Sequence, residues 1–360
     1  FLAASCEIYI NENNPFFKFV GDVLYDMGEM SVVAYLGSGE KDSLVIMDGT
    51  KSIGTYAFRN AKIDKIYLPD TVECLKKYAF SYCTMRFLDM SHVKRMESWC
   101  LEECSNLQNI CLGELSYLER WIGTAIGSCH SVKNVYIENS INLGRNLIGF
   151  DKVQSVIVEN GNSFISGYTE NVNLKYLIVS DNCKEFSYEY IQQTPNLTKM
   201  YLPESITTLS EDGGGGSYDS KIPYHKTTWC AKSDSAAAKF AQENGYPYQN
   251  IDEHTHELVS TVFYEDEFIK VTGQYCEECG YGTDTSYEWK ELAKYPKEQS
   301  PTLAPTTAPD ADEIVQLDEE GKVKKQRMLT TVQLKHHVQN VVSKKMEEAE
   351  EVGKTSIVEQ

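Results

Sequence analysis

Apolar residues recur along this chain as a spaced triplet, in which the second and third members follow the first by three and five residues. The first positions of successive copies are separated by 22, 22, 25, 21, 21 and 23 residues. Seven copies rarely fall in phase by chance, so the spacing indicates an internal repeat of about 20–25 residues. The seven copies are Ile63/Ile66/Leu68, Met85/Leu88/Met90, Leu107/Ile110/Leu112, Val132/Val135/Ile137, Val153/Val156/Val158, Leu174/Leu177/Val179 and Leu197/Met200/Leu202.

The last two positions of each triplet alternate as residues on one face of a short strand do. One turn cannot bury these side chains alone, whereas stacked turns share a continuous core. The repeat therefore predicts a right-handed leucine-rich-repeat solenoid, with short parallel strands joined by irregular or helical turns. We expect the middle members to form one buried file, which contains Ile66, Leu88, Ile110, Val135, Val156 and Leu177.

A second element precedes several triplets and combines a small residue, an apolar residue and, three positions later, Ala or Cys. It occurs at Ala57-Phe58 to Ala61, Ala79-Phe80 to Cys83, Cys100-Leu101 to Cys104 and Ala125-Ile126 to Cys129. The chain has 11 cysteines, an odd number that cannot all pair internally. Because most of them occupy repeat positions, we interpret these as small buried hydrophobes in preference to disulfides.

Two segments of this repeat, SIGTYAF at 52–58 and KIYLPDTV at 65–72, resemble the BspA-type leucine-rich repeats of bacterial surface proteins. Residues 8–17 with 21–25 resemble the strand and hairpin-like insertion of that family, and residues 228–245 resemble its closing turn and capping helix. The resemblance covers about residues 8–290 and weakens over 115–190, where the Ala-Phe element is eroded. It implies a secreted or cell-surface protein that is adhesin-like.

Changes in composition divide the chain into five parts. Ser233 or Ser235 can cap a helix at about 234–244, which is rich in Ala and is followed by Gly245. The predicted parts are a repeat start with a hairpin-like insertion (1–50), the solenoid with its capping helix (51–250), a small β-rich His/Cys module (251–292), a Pro/Thr linker (293–313) and a charged, marginally helical tail (314–360). The helical spacing in the tail is carried by Leu334, Val338, Val341, Val342 and Met346.

The His/Cys module carries a candidate metal site. His254 and His256 precede a Cys276-x-x-Cys279-Gly280 segment, and two imidazoles with two thiolates satisfy a tetrahedral zinc ion. The order with histidines first is unusual for zinc fingers. A Cys276–Cys279 disulfide with solvated histidines, or neither feature, remains an alternative. The resemblance likewise implies a structural metal or a disulfide, and we expect no cofactor beyond a possible structural zinc.

The outward-facing strand residues form a candidate binding surface. The residue between the last two apolar positions of each triplet points away from the core, and the residue just before the second apolar position forms a flanking column that includes Phe87 and Tyr176. Strand-lined faces of solenoids commonly bind partners. Exposed aromatic residues are enriched in interfaces. The alternative is that these rings pair with their neighbours on the ladder. The candidate binding residues are Tyr67, Phe87, Tyr136, Ile157, Tyr176, Ile178 and Tyr201.

Charge and local motifs exclude several functions. The formal net charge of −19 disfavours nucleic acid and acidic membranes as partners. No segment approaches the roughly 20 apolar residues of a membrane span. His92 and His130 stand alone, and the repeat explains the thiols, so we expect no catalytic site and no enzyme. Residues 352–355 resemble the end of a P-loop, but Glu348 replaces its first glycine. The chain begins at Phe1, which suggests a removed leader or a fragment.

These observations favour a secreted or cell-surface binding protein that recognises a host or matrix protein or another cell-surface ligand. The alternative is a non-catalytic targeting or scaffold module of a larger surface enzyme or assembly. A third, weaker hypothesis is a scaffold that makes its contacts through the predicted helix at 314–352.

Overall fold

Two parallel ladders of short strands dominate the structure. It is a computed structural model that describes residues 6–10, 14–118, 125, 129–140, 152–161, 163–165, 173–187, 195–210, 227–301, 312–317 and 323–329. The strands in this part of the chain are β1 (Cys6–Tyr9), β2 (Phe17–Val20), β3 (Val23–Asp26), β4 (Ser31–Tyr35), β5 (Lys41–Val45), β6 (Ser52–Ile53), β7 (Ile63–Tyr67), β8 (Cys74–Leu75), β9 (Arg95–Met96), β10 (Asn109–Leu115), β11 (Tyr117–Leu118), β12 (Asn134–Ser140), β13 (Ser155–Gly161), β14 (Ser163–Ile165), β15 (Tyr176–Ile178), β16 (Glu185–Ser187), β17 (Lys199–Tyr201), β18 (Thr208–Ser210), β19 (Thr228–Ala231), β20 (Tyr248–Asn250), β21 (Val259–Glu265), β22 (Ile269–Tyr275), β23 (Gly282–Trp289), β24 (Asp312–Leu317) and β25 (Val323–Leu329).

Successive turns of the chain place one strand in each ladder. The front ladder contains β5–β7, then β10–β12–β13–β15 and β17–β19–β20, all paired in parallel. Isolated parallel bridges from Lys65 to Phe87 and from Met90 to Leu112 continue the front ladder through the turn between β7 and β10. The side ladder contains β4–β6–β8–β9–β11 and, further along, β14–β16–β18. The arrangement is the predicted leucine-rich-repeat solenoid.

The middle members of the triplets form the predicted file. Ile110, Val135, Val156 and Leu177 lie directly opposite one another in the front ladder. Because Lys65 bridges Phe87, Ile66 and Leu88 extend the same row. All of these side chains are at most 1% exposed, so each turn buries its row against the next.

The opposite wall is built from the Ala-Phe and Cys positions. The rings of Phe58 and Phe80 stack with centroids 5.2 Å apart. The Sγ atoms of Cys83 and Cys104 donate to carbonyl oxygens one turn earlier, those of Phe58 at 2.8 Å and Phe80 at 3.1 Å. All ten cysteines whose side chains are described are free thiols. The repeat cysteines are therefore packing residues, as predicted.

Both ends of the solenoid are closed. At the start, β2–β3–β4 form an antiparallel sheet that corresponds to the predicted insertion. At the end lies the helix α1 (Ala236–Asn244), whose first turn is capped because the Ser235 side chain accepts from the Ala238 N–H at 3.1 Å. Gly245 ends α1 in the left-handed conformation at φ 73°. Trp229 stacks on Tyr246, with centroids 5.1 Å apart, beneath this cap.

Beyond the cap, the chain forms the antiparallel sheet β21–β22–β23, in agreement with the predicted β-rich module. The predicted linker begins later than expected, since Lys297–Gln299 form a 3-10 turn and Tyr295 Oη donates to the Ile46 carbonyl at 2.7 Å. The described part of the linker therefore packs on the first turns of the solenoid.

The prediction of a marginally helical tail is wrong for its first part, because β24 and β25 form a hairpin that pairs with β1. Ile314 lies opposite Ile8, so the start of the tail is a strand that pairs with a segment about 300 residues earlier in the chain. The helically spaced residues 334–346 and the glycine run 213–216 lie outside the described residues. In the described part of the chain, no helix has the length and apolar character that crossing a membrane requires.

We predict that Leu107→Ala lowers the free energy of unfolding by about 2–5 kcal/mol, because Leu107 is fully buried between turns. Val259→Ala is the control, since Val259 is 57% exposed and its truncation should change stability by less than about 0.5 kcal/mol. Urea unfolding followed by circular dichroism measures both. Equal losses for the two variants would contradict the repeat register.

Candidate functional site

The seven candidate binding residues lie on the front ladder and point away from the solenoid core, as predicted. Tyr136, Ile157 and Ile178 are directly opposite one another in register. They are nevertheless buried, with exposures of 2%, 0% and 6%. Phe87 is also buried, and Tyr67, Tyr176 and Tyr201 are half-buried. The expectation that this ladder is an open surface is therefore wrong.

The ladder is covered by the chain's own residues 259–300, which we call the strap. Ile269, Val271 and Tyr275 on β22 pack with the ladder side chains in one apolar cluster. The aromatic pairs between ladder and strap, with their centroid distances, are Phe87–Phe268 at 4.8 Å, Tyr136–Tyr287 at 4.8 Å, Tyr176–Phe263 at 5.2 Å, Tyr176–Tyr275 at 5.3 Å and Tyr201–Tyr281 at 4.9 Å. Exposing a row of aromatic rings to water is unfavourable in free energy. The apolar face of the strap sheet covers these rings and so removes them from water.

The strap runs along the stack of turns. Tyr281 contacts Tyr201 near the last turn, and Trp289 contacts Phe87 five repeats earlier along the chain. Further along, Tyr67 Oη donates to the Leu292 carbonyl at 2.9 Å. The strap therefore connects turns that share no direct strand pairing. Tyr67 and Phe87 also contact each other edge to face at 5.4 Å, the neighbour pairing that was the alternative for these rings.

Polar contacts fix the position of the strap. Asn109 Nδ2 donates to Asp266 Oδ2 at 2.8 Å, and the hydroxyls of Tyr136 and Thr285 both donate to Glu159. Burial raises the pKa of Tyr136 well above its usual range, with the Glu159 hydrogen bond adding to the shift. A buried side-chain hydrogen bond holds one register, because a shifted strap would leave these groups unpaired.

An arginine anchors the far end of the strap. Arg86 Nε and Nη2 donate to the two carboxylate oxygens of Asp64 at 2.6 and 2.7 Å. The same guanidinium pairs with Glu267 and lies 4.9 Å from the centroid of Phe268. Its hydrogen bonds lower the pKa of Asp64. One side chain thus joins a repeat turn to the β21–β22 connection through charge, hydrogen bonding and ring contact.

Close backbone approach is required where the strap meets β17. Gly280 has a φ of +81°, and a Cβ at this position would lie 3.0 Å from the Lys199 carbonyl oxygen. Gly280 follows the Cys-x-x-Cys pair, so the turn that carries the thiols rests directly on a solenoid strand. Only glycine combines this φ with this distance.

The predicted metal ligands come together at the same place. One ligand atom from each of His254, His256, Cys276 and Cys279 lies within 4.8 Å of all the others. His254 Nε2 is 3.3 Å from Cys276 Sγ, and His256 Nδ1 is 3.2 Å from Cys279 Sγ. Both thiols are free and fully buried, and each faces an imidazole. This donor set can hold a divalent cation of intermediate softness.

The surroundings of the cluster are apolar and disfavour isolated charge. Burial raises the pKa of Cys279 to about 12, and burial together with His254 lowers the pKa of His256. Glu278 Oε2 lies 3.6 Å from His254 Nδ1, on the side of the imidazole away from the thiol. Tyr281 stacks on His256 with centroids 4.4 Å apart.

Four of the described repeat cysteines are poor nucleophiles. Burial raises the pKa of Cys83, Cys100, Cys104 and Cys111 above the ordinary thiol value. His92 and His130 lie at the exposed surface, and His92 Nε2 is 3.3 Å from Asp70 Oδ1, an exposed carboxylate. A thiolate nucleophile needs a lowered pKa and partial exposure, so these groups do not form a nucleophile–base pair.

Sequence reasoning missed the strap residues that complete the surface. A usable signal was present, because Ile269, Val271, Gly273 and Tyr275 alternate with polar residues and Phe268 precedes them. That alternation identifies a strand with one buried face. It does not identify the surface against which the face is buried.

Comparison with known proteins agrees with the repeat architecture. The family model described as the BspA type leucine rich repeat region matches in six copies over residues 31–147 and 125–213. No curated protein shows a significant sequence match to the chain.

Two crystal structures show distant similarity. The first is a leucine rich cell surface protein from Faecalibacterium prausnitzii A2-165, with 16% identity and a TM-score of 0.27, covering 59% of this chain and 61% of that one. The second is a leucine-rich repeat protein from Bacteroides ovatus ATCC 8483, with 12% identity and a TM-score of 0.18, covering 67% and 91%. The chain thus matches about three fifths of the length of the Faecalibacterium structure.

We predict that the double variant Tyr136→Ala/Tyr176→Ala loosens the strap while the solenoid stays folded. Loss of two buried aromatic contacts should increase amide hydrogen exchange in β22 and β23 by at least about tenfold. Exchange in β10, β12 and β13 should remain slow. Tyr117→Ala is the control, because Tyr117 is 42% exposed and pairs with Arg95 on the side ladder. Unchanged exchange in the strap would contradict the packing described above.

We also predict that Gly280→Ala releases the strap, whereas Gly39→Ala does not. Both glycines have positive φ, +81° and +87°, so the backbone strain is matched. A Cβ at Gly280 would crowd a backbone carbonyl oxygen, whereas a Cβ at Gly39 would have nothing within 4 Å. Limited proteolysis between residues 251 and 300 distinguishes them. Similar cleavage rates for the two variants would show that the close approach to β17 is unimportant.

Proposed function

Because the chain belongs to the BspA-type leucine-rich-repeat family, we propose that it is a non-catalytic binding protein of the bacterial cell surface or secreted fraction, with an adhesin-like role. Its ligand in this proposal is a protein, presented by a host, a matrix or a neighbouring cell. The family match covers about half of the chain and includes the front-ladder strands from β5 to β17.

The observation that carries the proposal is the family match, because stacked repeats of this kind form extended surfaces that bind partners. The front ladder itself is occupied by the strap, through aromatic pairs and through hydrogen bonds such as Asn109 to Asp266, so in this proposal the ligand binds the outer surface of the protein. Burial raises the pKa of Cys104 and Cys111, which disfavours a thiolate nucleophile at these two positions.

The charge of the chain supports a basic partner. With a formal net charge of −19, the protein repels sulfated glycans, nucleic acid and acidic lipid and attracts cationic protein surfaces. The outer surface of the strap shares this character. Its exposed acidic residues include Glu265, Glu267, Glu277, Glu278, Asp284, Glu288 and Glu291.

We predict that the full chain binds basic matrix or cell-surface proteins and that the binding weakens at least about tenfold between about 50 and about 300 mM NaCl. The physical reason is screening of the attraction between the acidic chain and a cationic ligand. Biolayer interferometry with the full chain immobilised measures association and dissociation rates.

The matched controls are the same ligand proteins after succinylation of their lysines, which reverses the charge at similar size. Loss of binding after succinylation supports the proposal. Binding to a sulfated glycan but to none of the proteins overturns it, as does binding that is insensitive to both salt and succinylation.

A further inference from the structure

The His/Cys cluster joins two separate parts of the fold. His254 and His256 lie in the segment that leaves the last solenoid strand, β20, and follow Ile251, which is buried beside the cluster. Cys276 and Cys279 lie at the turn between β22 and β23, at one end of the strap. A ligand held by all four side chains would therefore connect the end of the solenoid to the tip of a hairpin.

The spacing of the donor atoms fits one tetrahedral ion. Metal–ligand distances of about 2.0–2.3 Å correspond to ligand–ligand edges of about 3.3–3.8 Å. The two measured imidazole–thiol edges, 3.3 Å and 3.2 Å, are close to this range, and the remaining edges lie within 4.8 Å. Small side-chain rotations close the difference.

The cluster is enclosed as a structural metal site requires. Cys276 and Cys279 pack with Cys230, Ile251 and the rings of Tyr201 and Tyr281 in one buried group. All four metal-binding positions are supplied by protein, which leaves no open coordination position for a substrate. The arrangement is that of a structural site and not of a catalytic one.

Glu278 is placed where an orienting carboxylate would act when the ion is bound. Its Oε2 lies 3.6 Å from His254 Nδ1, while His254 Nε2 faces the thiol of Cys276. A carboxylate on the far nitrogen of an imidazole is the usual partner of a metal-binding histidine, because it fixes the ring orientation and tautomer.

We propose that His254, His256, Cys276 and Cys279 bind one zinc ion, and that this ion clamps the strap to the end of the solenoid so that the front ladder stays covered. Thiol protons are released to solvent when the ion binds. The inference is independent of the proposed ligand, since it concerns a contact within one chain.

The first test is the metal content and ligand set of the full chain. Purified under reducing conditions with zinc supplied and then dialysed, the protein should contain one zinc per chain by elemental analysis. Titration of the metal-stripped protein with cobalt should give a thiolate-to-cobalt charge-transfer band. Cys276→Ser/Cys279→Ser should lose both signals, whereas the control Cys74→Ser/His92→Gln should keep them, because those residues lie outside the cluster.

The second test separates a clamp from a passive metal site. Removal of zinc by a chelator should increase amide hydrogen exchange in residues 269–289 by at least about tenfold, and added zinc should reverse this. Glu278→Gln should weaken zinc affinity about tenfold while the fold is retained. If the Cys variants do not fold, the zinc affinity of the Glu278→Gln variant still tests the proposed ligand set.

Three results would overturn the proposal. They are the absence of stoichiometric metal in the folded chain, a Cys276–Cys279 disulfide shown by mass spectrometry of the protein isolated without reductant, and unchanged exchange in the strap after zinc is removed. None of them bears on binding to a basic protein, so the clamp and the proposed function fail separately.

Discussion

Each turn of this chain presents a row of apolar side chains that only a neighbouring turn can bury, and the rest of the structure follows from that constraint. Ile110, Val135 and Val156 are fully buried because the following turn repeats an apolar residue at the same position. A stack of this kind has two open ends. Val23 and Tyr25 of the N-terminal sheet extend the core at one end, and the alanines of α1 cover the other.

The outward surface of the strands also carries apolar side chains that another part of the protein has to bury. Side chains alternate along a strand, so a ladder with Tyr136, Ile157 and Ile178 on its outer face has a second apolar row to remove from water. The strap, which is part of the same chain, buries this outer row. Pairing between repeats joins neighbouring turns, whereas one hairpin of the strap reaches both Tyr201 and Phe87. Contacts of this range increase the cooperativity of an array that otherwise depends on nearest neighbours.

The features that could be predicted from the sequence depend on residues close together in the chain. Those that could not be predicted depend on contacts between residues far apart in it. The file, the capping helix and the four ligands of the cluster have local signatures: a repeat spacing, a Ser-Ala-Gly pattern and two paired motifs. Docking of the strap depends on pairs such as Tyr176 and Tyr275, which no periodicity connects. Aromatic residues suited to a partner look the same whether that partner is another protein or the same chain. The tail shows the same limit, because Ile314 adopts a strand through its pairing with β1.

The unusual order of the cluster, with histidines before cysteines, has an architectural explanation. In a zinc finger the ligands fold a short segment onto itself, so either order of pairs satisfies the ion. Here the histidines lie where the chain leaves β20, and the cysteines lie where it turns back at the end of β22. Between them the chain crosses the ladder to Phe268, which packs on Phe87, and returns. The pairs meet because β22 runs antiparallel to β21, with Tyr275 opposite Val259, and so ends beside the segment that leaves β20.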